Sequence, residues 1–336
     1  MHEQVHWAAG ARLPIVMCVV NRAVGAPWNI WNDHQDSISQ RDTGWIQMYA
    51  CDHQQIIDSV LQAFAIAEAV SIPVMVCYDG YLLSHTYMPF EVPEEEQVRC
   101  FLPPFKPAYA LDPRDPANLN TVTLPDVRMD VEGEMAHGYM EIRYLLQEDL
   151  RATLTVAQET EGRFARIFGR GGNALLEPHR CDDAEYIVVG LGSLTYQLRD
   201  VVETLRGEGL KVGVLGIRLY RPFPDEAVVK VLRNARGVFV IEKALSYGYE
   251  GALCSDVKAA LYTCRGDGAG ADAAGGLLTD RSGGTQGGGS CADGPFVRGL
   301  IAGIGGRDIR TADLADTLRA AIAGTLEGPG WIGLKI

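Results

Sequence analysis

RLPIVMCVVNRA, residues 12–23, is the stretch that decides the fold of this 336-residue chain. Its apolar run over 13–20 has no polar alternation, which is typical of a strand buried on both faces of a parallel sheet. An amphipathic helical pattern over 53–70 and a second apolar run over 72–78 follow it. Strand, helix and strand in this order predict a βαβ unit.

Both predicted strands end in polar groups. Arg22 follows the first strand, and Asp79 follows the second, with Ser84-His85 a few residues later. The long polar loop predicted over 21–51 carries Asp33-His34-Gln35-Asp36 and then Arg41. Because open α/β sheets bind ligands at the carboxyl ends of their strands, these groups predict a binding edge.

Arg22 has two interpretations. A guanidinium at the carboxyl edge of a sheet is suited to hold a carboxylate through two hydrogen bonds. The alternative is an ordinary surface arginine paired with Asp33 or Asp36. The Asp33–Asp36 motif lacks the spacing of a zinc site, so a loop-stabilising network, with Arg41 as a member, is its favoured interpretation.

Two further motifs are weaker. Ser84 and His85 are adjacent and no nucleophile elbow accompanies them, which disfavours a hydrolase, although His85 remains a candidate polar contact. Gly190-Leu191-Gly192 follows a predicted strand but lacks the third glycine of a dinucleotide loop. Its glycines predict a tight turn from strand to helix.

Composition narrows the class of protein. A net charge of −13 and a pI near 5.0 disfavour a nucleic-acid partner, because phosphate binding needs a basic surface. None of the eight cysteines has zinc or iron–sulfur spacing, which indicates a reducing, cytoplasmic compartment. The longest apolar run has eight residues against the roughly 20 that span a membrane, so no membrane association is expected.

The expected fold class is α/β with two parallel-sheet domains. The first covers residues 1–165 and includes a proline-rich arm over 88–137, which we expect to be irregular and to pack against another domain or subunit. The second covers 182–336, where strand and helix patterns alternate again. A Gly, Ala, Asp and Ser-rich insert over 265–294 has too little apolar surface to order itself, and we expect it to be mobile.

An ordered set of motifs gives the chain a family resemblance. Together they resemble the alpha subunit of pyruvate:ferredoxin oxidoreductase (pyruvate synthase), a 2-oxoacid:ferredoxin oxidoreductase. The resemblance covers nearly the whole chain outside the insert. The motifs are Arg12-Leu13-Pro14-Ile15-Val16, Asn21-Arg22-Ala23, Asp33-His34-Gln35-Asp36, Arg41-Asp42-Thr43-Gly44-Trp45, Asp79-Gly80-Tyr81, Ser84-His85, Arg221-Pro222-Phe223-Pro224 and Gly305-Gly306-Arg307-Asp308.

The resemblance implies a function. Members oxidatively decarboxylate a 2-oxoacid, here most simply pyruvate, with coenzyme A to give acetyl-CoA, CO₂ and reduced ferredoxin. Thiamine diphosphate with Mg²⁺ is shared with another subunit, and iron–sulfur clusters lie only in partner subunits of beta, gamma and delta type. The two domains become a pyrimidine-type thiamine-diphosphate-binding domain and a transketolase C-terminal-like domain. The arginine matching Arg22 contacts the substrate carboxylate in the family.

The chain departs from the family in one respect. The family's pyrimidine-type domain begins well before the match to Met1. That upstream part carries the glutamate that hydrogen-bonds the aminopyrimidine and a threonine near the substrate, and neither has a counterpart here. We therefore expect a truncated first domain with an exposed apolar edge in its sheet, and a subunit that is catalytically incomplete by itself.

Other readings remain open at this point. The 2-oxoacid is not fixed, and 2-oxobutyrate and 2-oxoglutarate are alternatives to pyruvate. A subunit similar to those of transketolases or 2-oxoacid dehydrogenases would share the C-terminal domain without reducing ferredoxin. A catalytically incomplete scaffold fragment is the alternative without enzyme activity.

Overall fold

The computed structural model describes residues 1–107, 139–263 and 294–336, with the backbone of two short strands between the first two ranges. Most of the predicted arm beyond residue 107 and the predicted insert up to residue 293 lie outside the described residues. What the sequence indicates for those two segments stays a prediction.

Strands and helices alternate along the chain. The strands are β1 (Val16–Asn21), β2 (Ile46–Tyr49), β3 (Val74–Asp79), β4 (Arg128–Met129), β5 (Met135–Ala136), β6 (Leu176–His179), β7 (Tyr186–Leu191), β8 (Val212–Ile217), β9 (Leu219–Arg221), β10 (Gly237–Glu242) and β11 (Phe296–Ile301). The helices are α1 (His2–Gly10), α2 (Gln35–Ile38), α3 (His53–Val70), α4 (Glu95–Phe101), α5 (Tyr139–Phe168), α6 (Ser193–Gly207), α7 (Asp225–Leu232), α8 (Ala252–Thr263) and α9 (Thr311–Ile322).

The predicted α/β class with two sheets is confirmed. The first sheet has the order β1-β3-β2-β9, with β1, β3 and β2 parallel and β9 antiparallel. The second has the order β11-β10-β7-β8-β6, parallel except for β6. One buried apolar cluster contains residues of both sheets, including Met48 and Val76 of the first and Ile187 and Leu215 of the second.

The predicted βαβ unit is β1, α3 and β3, with β2 inserted before the helix. Asp52 caps the start of α3 by accepting the Gln55 backbone N–H at 2.8 Å. The helix ends at Ser71, whose φ of 50° places it in the left-handed region. Its buried small side chains, such as Ala63 and Ala67, let α3 lie close against the sheet.

The prediction that β1 is buried on both faces is wrong. Among the described residues, β1 is an edge strand with β3 as its single neighbour. Met17 and Val20 are 39% and 37% exposed, and Cys18 is exposed as well. A continuous apolar run specifies a strand but not how many strands lie beside it.

The outer edge of β1 carries backbone groups that have no strand partner in the described ranges 1–107, 139–263 and 294–336. The carbonyls of Ile15 and Asn21 accept the amides of Val74 and Gly80, so alternate residues of β1 face β3. The groups turned to the open side belong to Val16, Cys18 and Val20. That the isolated chain exposes an apolar edge in solution stays a prediction.

The prediction of one long loop over 21–51 is also wrong. Residues 35–38 form the short helix α2, and residues 46–49 form β2, whose four side chains are all buried. β2 lies between β3 and β9, so neighbours on both sides supply its hydrogen bonds. Four residues are too few for periodicity to reveal a strand.

The proline-rich segment is not irregular throughout. Residues 95–101 form α4, and the Gln97 side chain accepts the Glu94 backbone N–H at 3.3 Å. Phe101 of α4 is fully buried, with its ring centroid 5.4 Å from Phe164 and 5.7 Å from Phe168 of α5. This segment therefore packs on α5.

The two sheets share buried contacts besides the apolar cluster. Arg218, between β8 and β9, donates to Glu161 of α5 at 3.0 Å and to Gln62 of α3 at 2.9 Å. β9 then joins the first sheet beside β2. We propose the division into domains at 1–165 and 182–336, with β9 as the strand that crosses from the second to the first.

Candidate functional site

The ends of β1 and β3 meet at one edge of the first sheet. Asn21 and Asp79 are paired in register, and the Gly80 N–H donates to the Asn21 carbonyl at 2.9 Å. The sequence-predicted groups that follow these strands therefore start from the same place.

Arg22 leaves this edge toward solvent. Its backbone N–H donates to Asp36 Oδ2 at 2.8 Å, so Asp36 contacts the backbone rather than the guanidinium. Within the described residues the guanidinium has no hydrogen bond, ion pair or ring contact. A Cβ on Gly80 would lie 2.5 Å from the Asn21 carbonyl oxygen and 3.0 Å from Arg22 Cγ, so glycine is required beneath the arginine stem.

Asp79 is a fully buried carboxylate with four donors. Oδ1 contacts His34 Nε2 at 2.9 Å and accepts from Lys243 Nζ and Asn32 Nδ2, each at 3.2 Å. Oδ2 accepts the Ser193 backbone N–H at 2.9 Å. Burial alone would raise the pKa of Asp79, but Lys243, His34 and the Ser193 amide together hold it well below its usual value. The carboxylate is therefore ionised in the folded protein.

The donors to Asp79 come from both sheets. His34 and Asn32 lie in the loop after β1, whereas Lys243 follows β10 and Ser193 begins α6. Gly192 makes the predicted tight turn with a φ of 59°, and a Cβ there would lie 3.1 Å from Asp79 Oδ2. This cluster of Asp79, His34, Lys243, Asn32 and Ser193, here called the Asp79 cluster, joins the sheets at their carboxyl ends.

Asp33 and Gln35 contact two segments that follow strands of the second sheet. Asp33 accepts the Gln35 N–H at 2.9 Å and the Gly305 N–H at 3.1 Å. Burial raises the pKa of Asp33, although both amides favour its ionised form. The Gln35 side-chain amide donates to the Leu245 carbonyl and accepts the Leu245 N–H, at 3.2 and 3.1 Å.

His85 is exposed beside Tyr81. Its Nδ1 lies 2.8 Å from Ser84 Oγ, which also accepts the Tyr81 N–H at 2.9 Å. The imidazole stacks on the Tyr81 ring with centroids 5.7 Å apart. Ser84 and His85 thus order the turn after β3 rather than reach into the Asp79 cluster.

Arg41 follows α2, and its backbone N–H donates to the Ile38 carbonyl at 3.2 Å. Its nearest acid is Asp42 at 3.7 Å, and both line a cavity of about 1240 Å³ together with residues of α1, the first turns of α5 and the segment 221–223. Arg22 is not part of that cavity wall. The structure therefore does not bring Arg41 together with the other predicted residues.

Exposed aromatic side chains surround the turn that carries Arg22. Trp28 is 84% exposed, and Trp31 and Tyr81 pack edge to face with centroids 4.6 Å apart while each remains largely exposed. Aromatic rings that expose flat faces are typical of surfaces that bind a ring or another subunit.

Sequence reasoning missed Lys243 and Ser193. A signal existed for Lys243, because it is a charged residue that directly follows the last residue of β10, in the same position relative to its strand as Arg22. For Ser193 the contact is made by the backbone N–H, which no side-chain pattern reports.

Within residues 1–107, 139–263 and 294–336, no three His, Cys, Asp or Glu side chains converge as ligands for a metal ion. No helix in the part of the chain that the structure describes is long and apolar enough to cross a membrane.

Comparisons with known proteins place this geometry in context. The family model described as "Pyruvate flavodoxin/ferredoxin oxidoreductase, thiamine diP-bdg" matches residues 1–149, and "Pyruvate:ferredoxin oxidoreductase core domain II" matches residues 184–276. Pyruvate synthase subunit PorA of Methanothermobacter thermautotrophicus is 39% identical over 341 residues, which cover 100% of this chain and 76% of the relative.

Two further likenesses agree with these matches. Ketoisovalerate oxidoreductase subunit VorA of Pyrococcus abyssi is 38% identical over 315 residues, covering 94% of this chain and 70% of the relative. Among solved structures, a 2-oxoglutarate:ferredoxin oxidoreductase from Magnetococcus marinus has a TM-score of 0.55 at 14% identity, covering 95% of this chain and 50% of that chain. At this identity the structural match supports the fold alone.

Proposed function

The chain belongs to the pyruvate:ferredoxin oxidoreductase family as an alpha-type subunit of a 2-oxoacid:ferredoxin oxidoreductase, and on that premise we propose that Arg22 binds the carboxylate of the 2-oxoacid. The observation that carries this proposal is that the Arg22 guanidinium, at the carboxyl edge of the first sheet, has no hydrogen bond or ion pair with the described residues. A cation without a partner in the part of the chain that the structure describes, on a backbone held by Asp36 and Gly80, is available to an anionic ligand.

The proposed reaction is oxidative decarboxylation of pyruvate with coenzyme A to acetyl-CoA, CO₂ and reduced ferredoxin. Bound thiamine diphosphate supplies the carbon nucleophile and accepts the electrons of the broken C–C bond. Arg22 would hold the two carboxylate oxygens in one plane through parallel N–H donors, which orients the bond that breaks. The exposed rings of Trp28, Trp31 and Tyr81 offer apolar surface beside it.

We further propose that the diphosphate, Mg²⁺ and iron–sulfur clusters are held by partner subunits of beta, gamma and delta type. In support, the described residues offer no convergent metal ligands, and the sequence has neither a phosphate-binding P-loop nor cluster-spaced cysteines. Ferredoxin and coenzyme A would then reach the active site through those subunits, in the cytoplasm.

The remaining site residues support Arg22 in this proposal. Asp33, His34, Gln35 and Asp79 anchor the loop that carries it, and Asp36 binds its backbone. His85 orders the turn after β3. Arg41 has no contact with this group and is left out of the site.

The test uses the complex reconstituted with its partner subunits and assayed by reduction of ferredoxin or viologen. Arg22→Ala should raise the KM for pyruvate about 10- to 100-fold, which corresponds to the loss of a charge-assisted bond worth about 1.5–3 kcal/mol. Arg22→Lys should recover only part of it, because an ammonium cannot bind both oxygens in a fork.

Arg233→Ala is the matched control, since Arg233 is an exposed arginine at the end of α7. An unchanged KM in Arg22→Ala would remove Arg22 from the site. Failure of the parent complex to reduce viologen with any 2-oxoacid would favour the transketolase-like or scaffold alternative. Comparing kcat/KM for pyruvate, 2-oxobutyrate, 2-oxoisovalerate and 2-oxoglutarate identifies the substrate.

A further inference from the structure

We infer that the second sheet sets the position of Arg22, and that Asp36 and Lys243 act as positioning residues for binding of the 2-oxoacid carboxylate. This inference rests on the role proposed for Arg22. The Arg22 side chain has no hydrogen bond or ion pair with the residues that the structure describes, so its position depends on its backbone.

The backbone of Arg22 is held from α2. Asp36 Oδ2 accepts the Arg22 N–H at 2.8 Å, and the Ser37 N–H donates to Asn21 Oδ1 at 3.2 Å. Two consecutive residues of α2 thus fix two consecutive residues at the end of β1. Any movement of α2 is passed directly to the Arg22 backbone.

α2 is in turn anchored to the second sheet. His34, which precedes the helix, donates its N–H to the Lys243 carbonyl at 2.8 Å, and its ring contacts Asp79. Gln35 makes a two-way side-chain pair with the backbone of Leu245. The position of α2 therefore follows the segment 243–245 after β10.

Lys243 is also connected to the Arg22 backbone through Asp79 and Gly80. Its ammonium contacts Asp79 at 3.2 Å, and the next residue, Gly80, donates its N–H to the Asn21 carbonyl. Lys243 and Asp79 are 4% and 0% exposed, so water screens this pair little. Lys243 therefore contacts both residues that connect it to Arg22. Its backbone carbonyl accepts the His34 N–H, and its ammonium contacts Asp79.

A positioning role of this kind has a measurable signature. Because Arg22 itself is untouched, loosening its backbone should weaken binding of the carboxylate more than it slows the chemical step. Asp36 gives the cleaner test, since it is half-buried at the surface and its loss leaves no buried charge.

The experiment compares Asp36→Ala and Asp36→Asn in the reconstituted complex. Asp36→Ala should raise the KM for pyruvate about 5- to 10-fold with kcat within about twofold, as expected for one lost hydrogen bond. Asp36→Asn keeps an oxygen acceptor and should restore the KM. In Asp36→Ala, hydrogen exchange at the Arg22 amide should become faster.

Asp225→Ala is the control, because Asp225 also accepts a backbone N–H at the start of a helix, at 2.9 Å from Glu226 N, and does not contact Arg22. The second variant is Lys243→Met, which should raise the KM and speed hydrogen exchange over residues 21–36. Adding Asp36→Ala to it should give less than the product of the two separate effects.

The outcomes separate the two proposals. If Arg22→Ala raises the KM but Asp36→Ala does not, the positioning inference is overturned and the proposed function stands. If Arg22→Ala leaves the KM unchanged, the proposed function fails. A Lys243→Met chain that does not fold leaves the Asp36 pair of variants to decide.

Discussion

Glu242 and Lys243 are adjacent in sequence and both are buried, but their surroundings compensate the two charges to different extents. Lys243 is paired with Asp79 and lowers the pKa of that carboxyl. Glu242 has no cation paired with it among the residues that the structure describes. It accepts the Leu253 N–H at 2.9 Å and the Cys254 N–H at 3.0 Å at the start of α8. Burial raises the pKa of Glu242 to about 7 against the effect of these two amides.

This gives a pH dependence of stability. The folded protein keeps the Glu242 proton up to about pH 7, whereas the unfolded chain loses it near the ordinary value of 4.5. The folded state therefore binds more protons between these values, and the free energy of unfolding should fall as pH rises from about 5 to 8, by up to about 3 kcal/mol. Urea denaturation at several pH values measures this slope.

Glu242→Gln should flatten the slope, because an amide has no proton to lose. Glu226→Gln, at an exposed glutamate of α7, should leave the slope as it is. A parent protein whose unfolding free energy is constant over this range would show that Glu242 ionises normally.

β1 has a strand on one side only within the described residues, and its other side is open. Its open side presents unpaired backbone groups along a strand, residues 16–21, with no charge and no proline. Edges of this kind pair with other strands unless charge or proline prevents it. The isolated chain should therefore self-associate as its concentration rises.

Cys18→Lys places a charge on this edge and should lower the average mass measured by sedimentation under reducing conditions. Cys100→Lys is the matched control, because Cys100 is an exposed cysteine on α4. Equal self-association of the two variants would place the contact away from β1.

Elements also differ in how far sequence predicts them. The long elements α3, α5, α6, β8 and β10 follow their periodicity closely. β2, β6 and β9 have three or four residues each, too few for a pattern. α4 was hidden by the prolines that flank it, since Pro93 and Pro103 bracket the seven helical residues.

The part of the site that lies at the ends of strands could be predicted from the sequence. Arg22 and Asp79 follow apolar runs, so their shared edge could be inferred from topology alone. Lys243 could not be paired with Asp79, because 164 residues separate them and no local pattern reports a contact at that distance. The role of Asp36 depends on a backbone N–H and likewise leaves no mark in the sequence.

Across the whole molecule, Arg218 is the main buried charge between the helices of the first sheet and the strands of the second. Its side chain and that of Glu161 are each 5% exposed. Removing one partner of a buried ion pair leaves the other charge without compensation. Arg218→Met should therefore lower the free energy of unfolding by about 3–5 kcal/mol, with both sheets still unfolding in one transition.

Urea denaturation followed by tryptophan fluorescence and by circular dichroism measures both the loss and the coincidence of the transitions. The double variant Arg218→Met with Glu161→Met should recover part of the loss, since no lone charge remains. Arg310→Met, which breaks the exposed pair with Asp313, should leave stability unchanged. Two separate transitions in the parent protein would contradict the coupling.

The position of β9 has a consequence for synthesis of the chain. β2 is enclosed only when β9, residues 219–221, lies beside it. During translation one side of β2 therefore stays uncovered until residues 219–221 have left the ribosome. The nascent chain carries open edges at β1 and β2 throughout that interval, and edges of this kind are templates for pairing with other strands.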